Sequence, residues 1–345
     1  KVLTARQAAD LIKDGDTVTL SGFVANGIAA ALNAAAEERF LETGHPKDLT
    51  LFWVAGTGNK DGSHADHYAH EGMVKKVIGG HFNFVPKICE MLSDNKIEGY
   101  NVPQGAIAQM LRDNAARKVG TISHVGIGTF ADPRNGGGRL SEKTKEDIVK
   151  IIELEGQEQL FYPRIPLDVA FIRGTYADEL GNITLEKEMA PLDATSQAMA
   201  VHNNGGLVVV QVERVVKAGH LDPKLVKIPG IYVDAVVECP ADDPKQSQSI
   251  NCTYDPAYAG NTQVPVSSLE PKKLDAKKII GRRAAMELKK NVVVNLGVGV
   301  PEWVSSVAAE EGVADEMTLT VECGPVGGVP GGGLRFGGSV NAQAY

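Results

Sequence analysis

Leu49-Thr50-Leu51-Phe52-Trp53-Val54-Ala55-Gly56 lines up without a gap against Met317-Thr318-Leu319-Thr320-Val321-Glu322-Cys323-Gly324. Each stretch is a strand-forming run that ends on a glycine. The match extends upstream. Leu3-Thr4-Ala5 opens a helix that leads into Thr17-Val18-Thr19-Leu20-Ser21-Gly22. Leu274-Asp275-Ala276 opens one that leads into Val292-Val293-Val294-Asn295-Leu296-Gly297, longer by about one helical turn. Self-similarity of this kind implies two halves of one architecture.

The intervening chain supports an α/β class. Thr4 and Gln7 form a capping box for a short helix that Gly15 closes. Buried strands are expected at 17–20, 49–54, 74–78 and 119–122, with an Ala-rich helix at 28–41. Strand and helix alternating in this way give a parallel sheet with helices on its faces. Residues 148–154 and 159–162 flank Glu155-Gly156 as a hairpin, and 169–173 and 207–212 read as further buried strands. Between Pro240 and Pro271, five prolines punctuate a polar stretch that is either an inter-domain linker or a long ordered surface loop. The expected organisation is a first domain over 1–240, a linker over 241–273, and an incomplete second domain over 274–345.

Composition bounds the function. A chain of 345 residues suits two domains, and 43% hydrophobic with 23% charged residues is ordinary for a globular protein. The net charge of −8, with no Lys/Arg block, argues against nucleic acid and membrane surfaces as partners. No apolar run approaches the roughly 20 residues of a membrane span. Residues 1–7 lack the apolar centre of a signal peptide. Cys89, Cys239, Cys252 and Cys323 match no zinc or disulfide framework, which suits a reducing cytoplasm. His64, His67 and His70 are spaced to share one helix face, but Asp66 is the only acid close by in sequence and no cysteine joins them. A polar helix face is preferred, and no metal is expected.

The repeat singles out Glu322, because the first half has Val54 at the same place. The fold needs only a residue that ends a strand there, so a carboxylate is additional to it. The carboxyl ends of strands are where open α/β proteins bind ligands. Beyond it, Gly324, Gly327 and Gly328 let a bulky ligand approach the backbone. Gly297-Val298-Gly299-Val300-Pro301 offers a second such loop, without the spacing of a dinucleotide fingerprint. Cys323 is a rival nucleophile. Neighbours along an extended strand point to opposite faces, so Glu322 and Cys323 are not expected to serve together.

Six motifs carry a resemblance to a known family. They are 101–105 (Asn-Val-Pro-Gln-Gly), 126–134 (Gly-Ile-Gly-Thr-Phe with Asp132-Pro133-Arg134), 171–175 (Phe-Ile-Arg-Gly-Thr), 229–234 (Pro-Gly-Ile-Tyr-Val-Asp), 295–299 (Asn-Leu-Gly-Val-Gly) and 321–324 (Val-Glu-Cys-Gly). Together they resemble the fused single-chain family I CoA-transferases, especially propionate/acetate CoA-transferases, over essentially the whole chain. The resemblance implies two tandem, similar α/β domains with mainly parallel sheets (CoA-transferase, NagB/RpiA-like), the second truncated here. It implies that Glu322 is the catalytic nucleophile and that Gln104 positions the thioester carbonyl. Coenzyme A is then a substrate, with no permanently bound cofactor, and its pantetheine arm passes Gly297, Val298, Gly299, Gly324, Gly327 and Gly328. The implied partners are acyl-CoA and short-chain carboxylates, and the implied assembly is a homo-oligomer. Transfer would run through a glutamyl-CoA thioester on Glu322. An acyl-CoA hydrolase and a non-catalytic ligand sensor are the alternatives on the same scaffold. Two departures stand out. Cys323 replaces a small polar residue, and Gly56-Thr57-Gly58 replaces the paired asparagines of the succinyl/3-oxoacid branch, which favours the broad short-chain branch. Relatives also continue well past Tyr345, where further oxyanion donors are expected.

Overall fold

The computed structural model describes residues 1–343; the outer end of the expected second domain, Ala344 and Tyr345, lies outside them. The chain gathers into two compact units. One comprises Lys1–Phe23, Ile28–Leu185 and Asp193–Gln246. The other comprises Val24–Gly27, Glu186–Leu192 and the chain from Ser247 onward.

The first unit is built on an eight-stranded sheet whose order is Val2–Leu3, Ala235–Glu238, Leu207–Val212, Val169–Arg173, Thr17–Leu20, Leu49–Trp53, Val74–Gly79, Glu98–Asn101. Every neighbouring pair in it is parallel. The strands are near-continuous apolar runs because both faces are covered. Alternate residues go to opposite cores. Val169, Phe171 and Val209 join Leu51 and Trp53 on one face, while Ala170, Ile172, Val208 and Val210 join Phe52 and Ile78 on the other. The strand order turns back beside Thr17–Leu20, which has Leu49–Trp53 on one side and Val169–Arg173 on the other.

The capping box is present, with Thr4 accepting from Gln7 N–H and Gln7 returning to the Thr4 N–H. The helix it opens is only Ala5–Ala9, and Gly15 (φ +82°) belongs to the turn that follows. The expected helix at 28–41 runs over Ala30–Thr43, with Gly44 (φ +72°) as its left-handed cap. One strand was placed in the wrong sheet. Gly120–Ser123 forms as expected, but it pairs antiparallel with Gln157–Pro163, whose other neighbour is the hairpin partner Lys150–Leu154. Its sequence is strand-like, but Val119 and Ile122 are exposed, so it cannot take a place in a sheet covered on both faces. Glu98–Asn101 was not anticipated. Gly99 and the two polar ends hide its strand character.

The second unit repeats the local order of the first. Asp275 caps the helix Ala276–Ala285 by accepting from Lys278 N–H. That helix leads into Val293–Leu296, which pairs parallel with Thr318–Val321. The helix Glu302–Glu310 connects the two strands and packs on Ala276–Ala285. At this crossing a Cβ on Gly281 would lie 3.0 Å from Trp303. In this unit Thr318 faces Val293, and in the first Thr50 faces Thr17. Val293, not Val292, therefore takes the place of Thr17, one residue later than the sequence alignment put it. The segment after Pro240 includes buried Gln246, Gln248, Ser249 and Ala257. Gln248 binds the Lys187 carbonyl through its amide and accepts from Asp255 N–H.

The three histidines do not share a helix face. His64–Tyr68 is a single 3₁₀ stretch, and His64 starts it at φ +61°. His67 Nδ1 and His70 Nε2 instead bracket one carboxylate, lying 2.5 Å and 2.7 Å from the oxygens of Glu37. Glu37 stands about thirty residues earlier in sequence, so local spacing could not reveal it. Burial alone would raise the Glu37 pKa, but the hydrogen bonds from His70 and His67 outweigh it and hold it below the usual value. Burial pushes His64 down to about 4, against a smaller opposing pull from Asp61. Its Nδ1 is buried without a hydrogen-bond partner among the described residues.

The sign of the pH effect follows from these directions. Between pH 6.5 and about 4 the unfolded chain binds a proton at His64 that the folded chain refuses, so stability falls as pH falls through that window. Glu37 acts in the same direction at lower pH, as its carboxylate protonates. Going from pH 7 to pH 4.5, urea unfolding should show His64→Asn losing about 2 kcal/mol less than the parent protein. Asparagine tolerates the left-handed backbone and cannot charge. An identical loss in both proteins would remove His64 from this account.

Candidate functional site

Glu322 is the first residue after the Thr318–Val321 strand. Val54 is likewise the first after Leu49–Trp53. The strand ends because the chain turns at once: Gly324 N–H donates to Val321 O (3.0 Å), and Val321 N–H donates to Pro325 O (3.0 Å). Glu322 and Cys323 are thus the two central residues of a tight turn, not neighbours along a strand. The expectation that strand alternation separates them does not apply, and burial separates them instead. Glu322 is exposed and Cys323 half-buried.

Their chemistry follows from that difference. Partial desolvation of the carboxyl raises the Glu322 pKa, and among the described residues the carboxylate has no hydrogen bond or ion pair. A carboxylate without donors keeps its lone pairs for an electrophile. Burial, with the nearby Glu322 charge adding to it, pushes the Cys323 thiol up to about 12. At neutral pH only about one molecule in 10⁵ would carry the thiolate, the form that attacks. Burial thus keeps Cys323 in its thiol form.

Gly297 is brought to the same place. Leu296 pairs with Val321, so Gly297 and Glu322 follow the carboxyl ends of two adjacent parallel strands. A Cβ on Gly297 would lie 4.0 Å from Glu322 Oε2. The loop continues through exposed Val298 and Gly299 (φ +98°) into the helix Glu302–Glu310. Positions 299 and 324 face open space. The other two glycines answer to the chain itself. At Gly328 (φ +73°) a Cβ would come within 1.8 Å of Val340 O, across the antiparallel pair Val329–Pro330 and Ser339–Val340. Gly327 (φ +81°) donates its N–H to Leu319 O and lies against the Gln343 side chain.

Gln104 belongs to the first unit. It is the first residue of the helix Gln104–Ala115, directly after Pro103. It is exposed, and among the described residues its amide makes no hydrogen bond. Its position is set by packing. A Cβ on Gly80 would come within 2.3 Å of Gln104 Cγ and 2.2 Å of Val54 O, so only glycine lets the three segments meet. Gly80 N–H donates to Val54 O, and Val102 N–H to Gly79 O. Gln104 is thereby fixed beside the carboxyl ends of Leu49–Trp53 and Val74–Gly79. Sequence reading missed this seat; the paired Gly79-Gly80 after a strand was the available signal.

A family model described as coenzyme A transferase matches residues 2–239. The chain is 41% identical to an acetate CoA-transferase, YdiF, of Escherichia coli K12, over 99% of this chain and 64% of that protein. It is also 41% identical to a caffeate CoA-transferase of Acetobacterium woodii, over 100% of this chain and 66% of that one. A crystal structure of the acyl-CoA transferase YdiF from E. coli O157:H7, described as a thioester complex with CoA, superposes with a TM-score of 0.90 at 40% identity. It covers 99% of this chain and 64% of that one. Glutaconate coenzyme A-transferase of Acidaminococcus fermentans, at 21% identity and a TM-score of 0.56, shares the fold. The chain spans just under two thirds of the length of these two curated relatives.

The glycines separate into two classes by what surrounds them. Gly299→Ala should cost about 1 kcal/mol, the strain of a left-handed alanine in open space. Gly328→Ala adds a backbone clash and should cost at least about 3 kcal/mol. Urea unfolding of the two variants should resolve the difference, and equal losses would contradict the assigned packing.

Proposed function

Because the chain belongs to the coenzyme A transferase family, we propose that it contributes Glu322 and Gln104 to an enzyme that moves CoA between a short-chain acyl-CoA and a free carboxylate. One observation carries this: an exposed carboxylate with a raised pKa and no partner among the described residues, directly after a strand and beside Gly297, where the other half of the repeat has Val54. The names of its relatives, acetate CoA-transferase and caffeate CoA-transferase, support the same reaction class.

In the proposed route Glu322 attacks the thioester carbonyl of the acyl-CoA. A C–O bond forms, the C–S bond breaks, and CoA leaves as thiolate from a mixed anhydride. The thiolate then attacks the glutamyl carbonyl, and the first acid departs as carboxylate. This leaves a glutamyl-CoA thioester. An acceptor carboxylate runs the same two steps backwards. The YdiF structure described as a thioester complex is consistent with that intermediate. Each attack builds negative charge on a carbonyl oxygen, for which the unoccupied Gln104 amide is the proposed donor. Gly297, Val298, Gly299 and Gly324 border Glu322 or lie open beside it, and we assign them to the path of the pantetheine arm. Gly327 and Gly328 border the path with their backbone, since the chain fills the space at their Cα atoms. We further propose that 1–240 and the chain from 274 are two functional halves, and that the enzyme assembles as a homo-oligomer.

Full-length protein incubated with propionyl-CoA, reduced with borohydride and mapped by mass spectrometry should be modified at Glu322. Glu322→Gln should lower transfer to acetate by at least about a thousandfold. Cys323→Ser should change it by no more than about threefold. Thioester loss at the same rate with and without acetate would favour the hydrolase. Label on Cys323, or full activity in Glu322→Gln, would refute the assignment.

A further inference from the structure

The first unit holds an imidazole, one residue from the glycine that seats Gln104, and an ammonium that acts on that imidazole, and the proposed mechanism has used neither. His81 follows Gly80, the residue whose missing side chain seats Gln104. Its Nδ1 is buried and has no hydrogen-bond partner among the described residues. The backbone makes deliberate room for the ring. A Cβ on Gly56 would lie 2.6 Å from His81 Nδ1 and 2.9 Å from Phe84, and one on Gly58 would lie 2.3 Å from Phe84 O. The ring is further fixed by Phe84, at 5.0 Å between centroids, and the His81 carbonyl accepts from Trp53 Nε1. Gly56-Thr57-Gly58, the loop that departs from the succinyl/3-oxoacid pattern, is therefore the wall that admits His81.

Lys60 stands on the same loop. Its Nζ lies 5.5 Å from the centroid of the Phe84 ring, and its backbone is held at φ +69° with its N–H on Phe84 O. It is exposed and makes no ion pair among the described residues. The neighbouring carboxylate of Asp61 is already taken by Asn59 and Ser63. Charging His81 would bury an N–H with no acceptor, beside a cation. Burial first and Lys60 second lower its pKa, so the ring is neutral near pH 7. A neutral imidazole whose buried nitrogen lacks an acceptor carries its proton on the other nitrogen. It can then donate one hydrogen bond.

We propose that His81 and Lys60, with the Gln104 amide, bind the carboxylate of the small free acid at this edge of the first unit. Lys60 supplies the charge that draws an anion, and His81 supplies a directed donor to one oxygen. The inference rests on the transfer reading for its choice of ligand.

Equilibrium binding of ¹³C-acetate to the full-length protein, followed by NMR without any acyl-CoA, tests it. His81→Leu should weaken acetate binding about tenfold, and Lys60→Met about threefold. His81→Gln, which keeps an N–H donor, should recover most of the loss. Unchanged acetate affinity in both His81→Leu and Lys60→Met would overturn the proposal. So would a loss in His81→Leu that His81→Gln does not repair, since a packing defect would act alike in both. The same samples, treated with propionyl-CoA, report separately on the transfer reading. Acetate binding with the expected pattern but no thioester on Glu322 would sink that reading and leave the acid site standing.

Discussion

A parallel sheet delivers the carboxyl ends of all its strands to one edge, and everything of chemical interest in this chain depends on that constraint. The eight parallel strands of the first unit place Val54, Gly80 and Gln104 side by side. The single parallel pair of the second unit places Gly297 opposite Glu322. In the first unit most side chains within these strands go into the two cores. Loops at the ends are the remaining positions at which a polar group can stand without disturbing the packing.

Much of this was legible because parallel strands covered on both faces leave an unambiguous mark. Runs such as Val169–Arg173 and Leu207–Val212 have no polar alternation to confuse them. Glu322 stands out in the sequence by contrast, since a repeat exposes whatever the fold does not require. The failures also have physical causes. Strand propensity carries no information about which neighbour a strand will choose, so Gly120–Ser123 was assigned to the wrong sheet. A glycine-bearing strand such as Glu98–Asn101 earns its place by tertiary fit. Register between the two halves was misjudged by one residue at Val292 because three valines in a row read alike.

Pairs distant in sequence were the least visible. Glu37 and its two histidines come from separate elements. The seat of Gln104 requires a glycine on one strand end and a carbonyl on another. Turn geometry mattered as well. Treating Glu322 and Cys323 as strand neighbours separated them for the wrong reason: in the turn they differ by burial, which raises the thiol's pKa.

The two units are not consecutive along the chain. Val24–Gly27 and Glu186–Leu192 belong with the residues from Ser247 onward, and Asn26 donates its amide to the carbonyl of Phe336. During synthesis the early tetrapeptide must therefore wait for partners that emerge on the order of ten seconds or more later. A chain divided near Gln246 would leave Val24–Gly27 and Glu186–Leu192 on the piece that lacks the unit they belong to. Each piece would carry, or lack, a short segment of the other's fold. Sequence between the halves can then vary freely only where it does not belong to those borrowed segments.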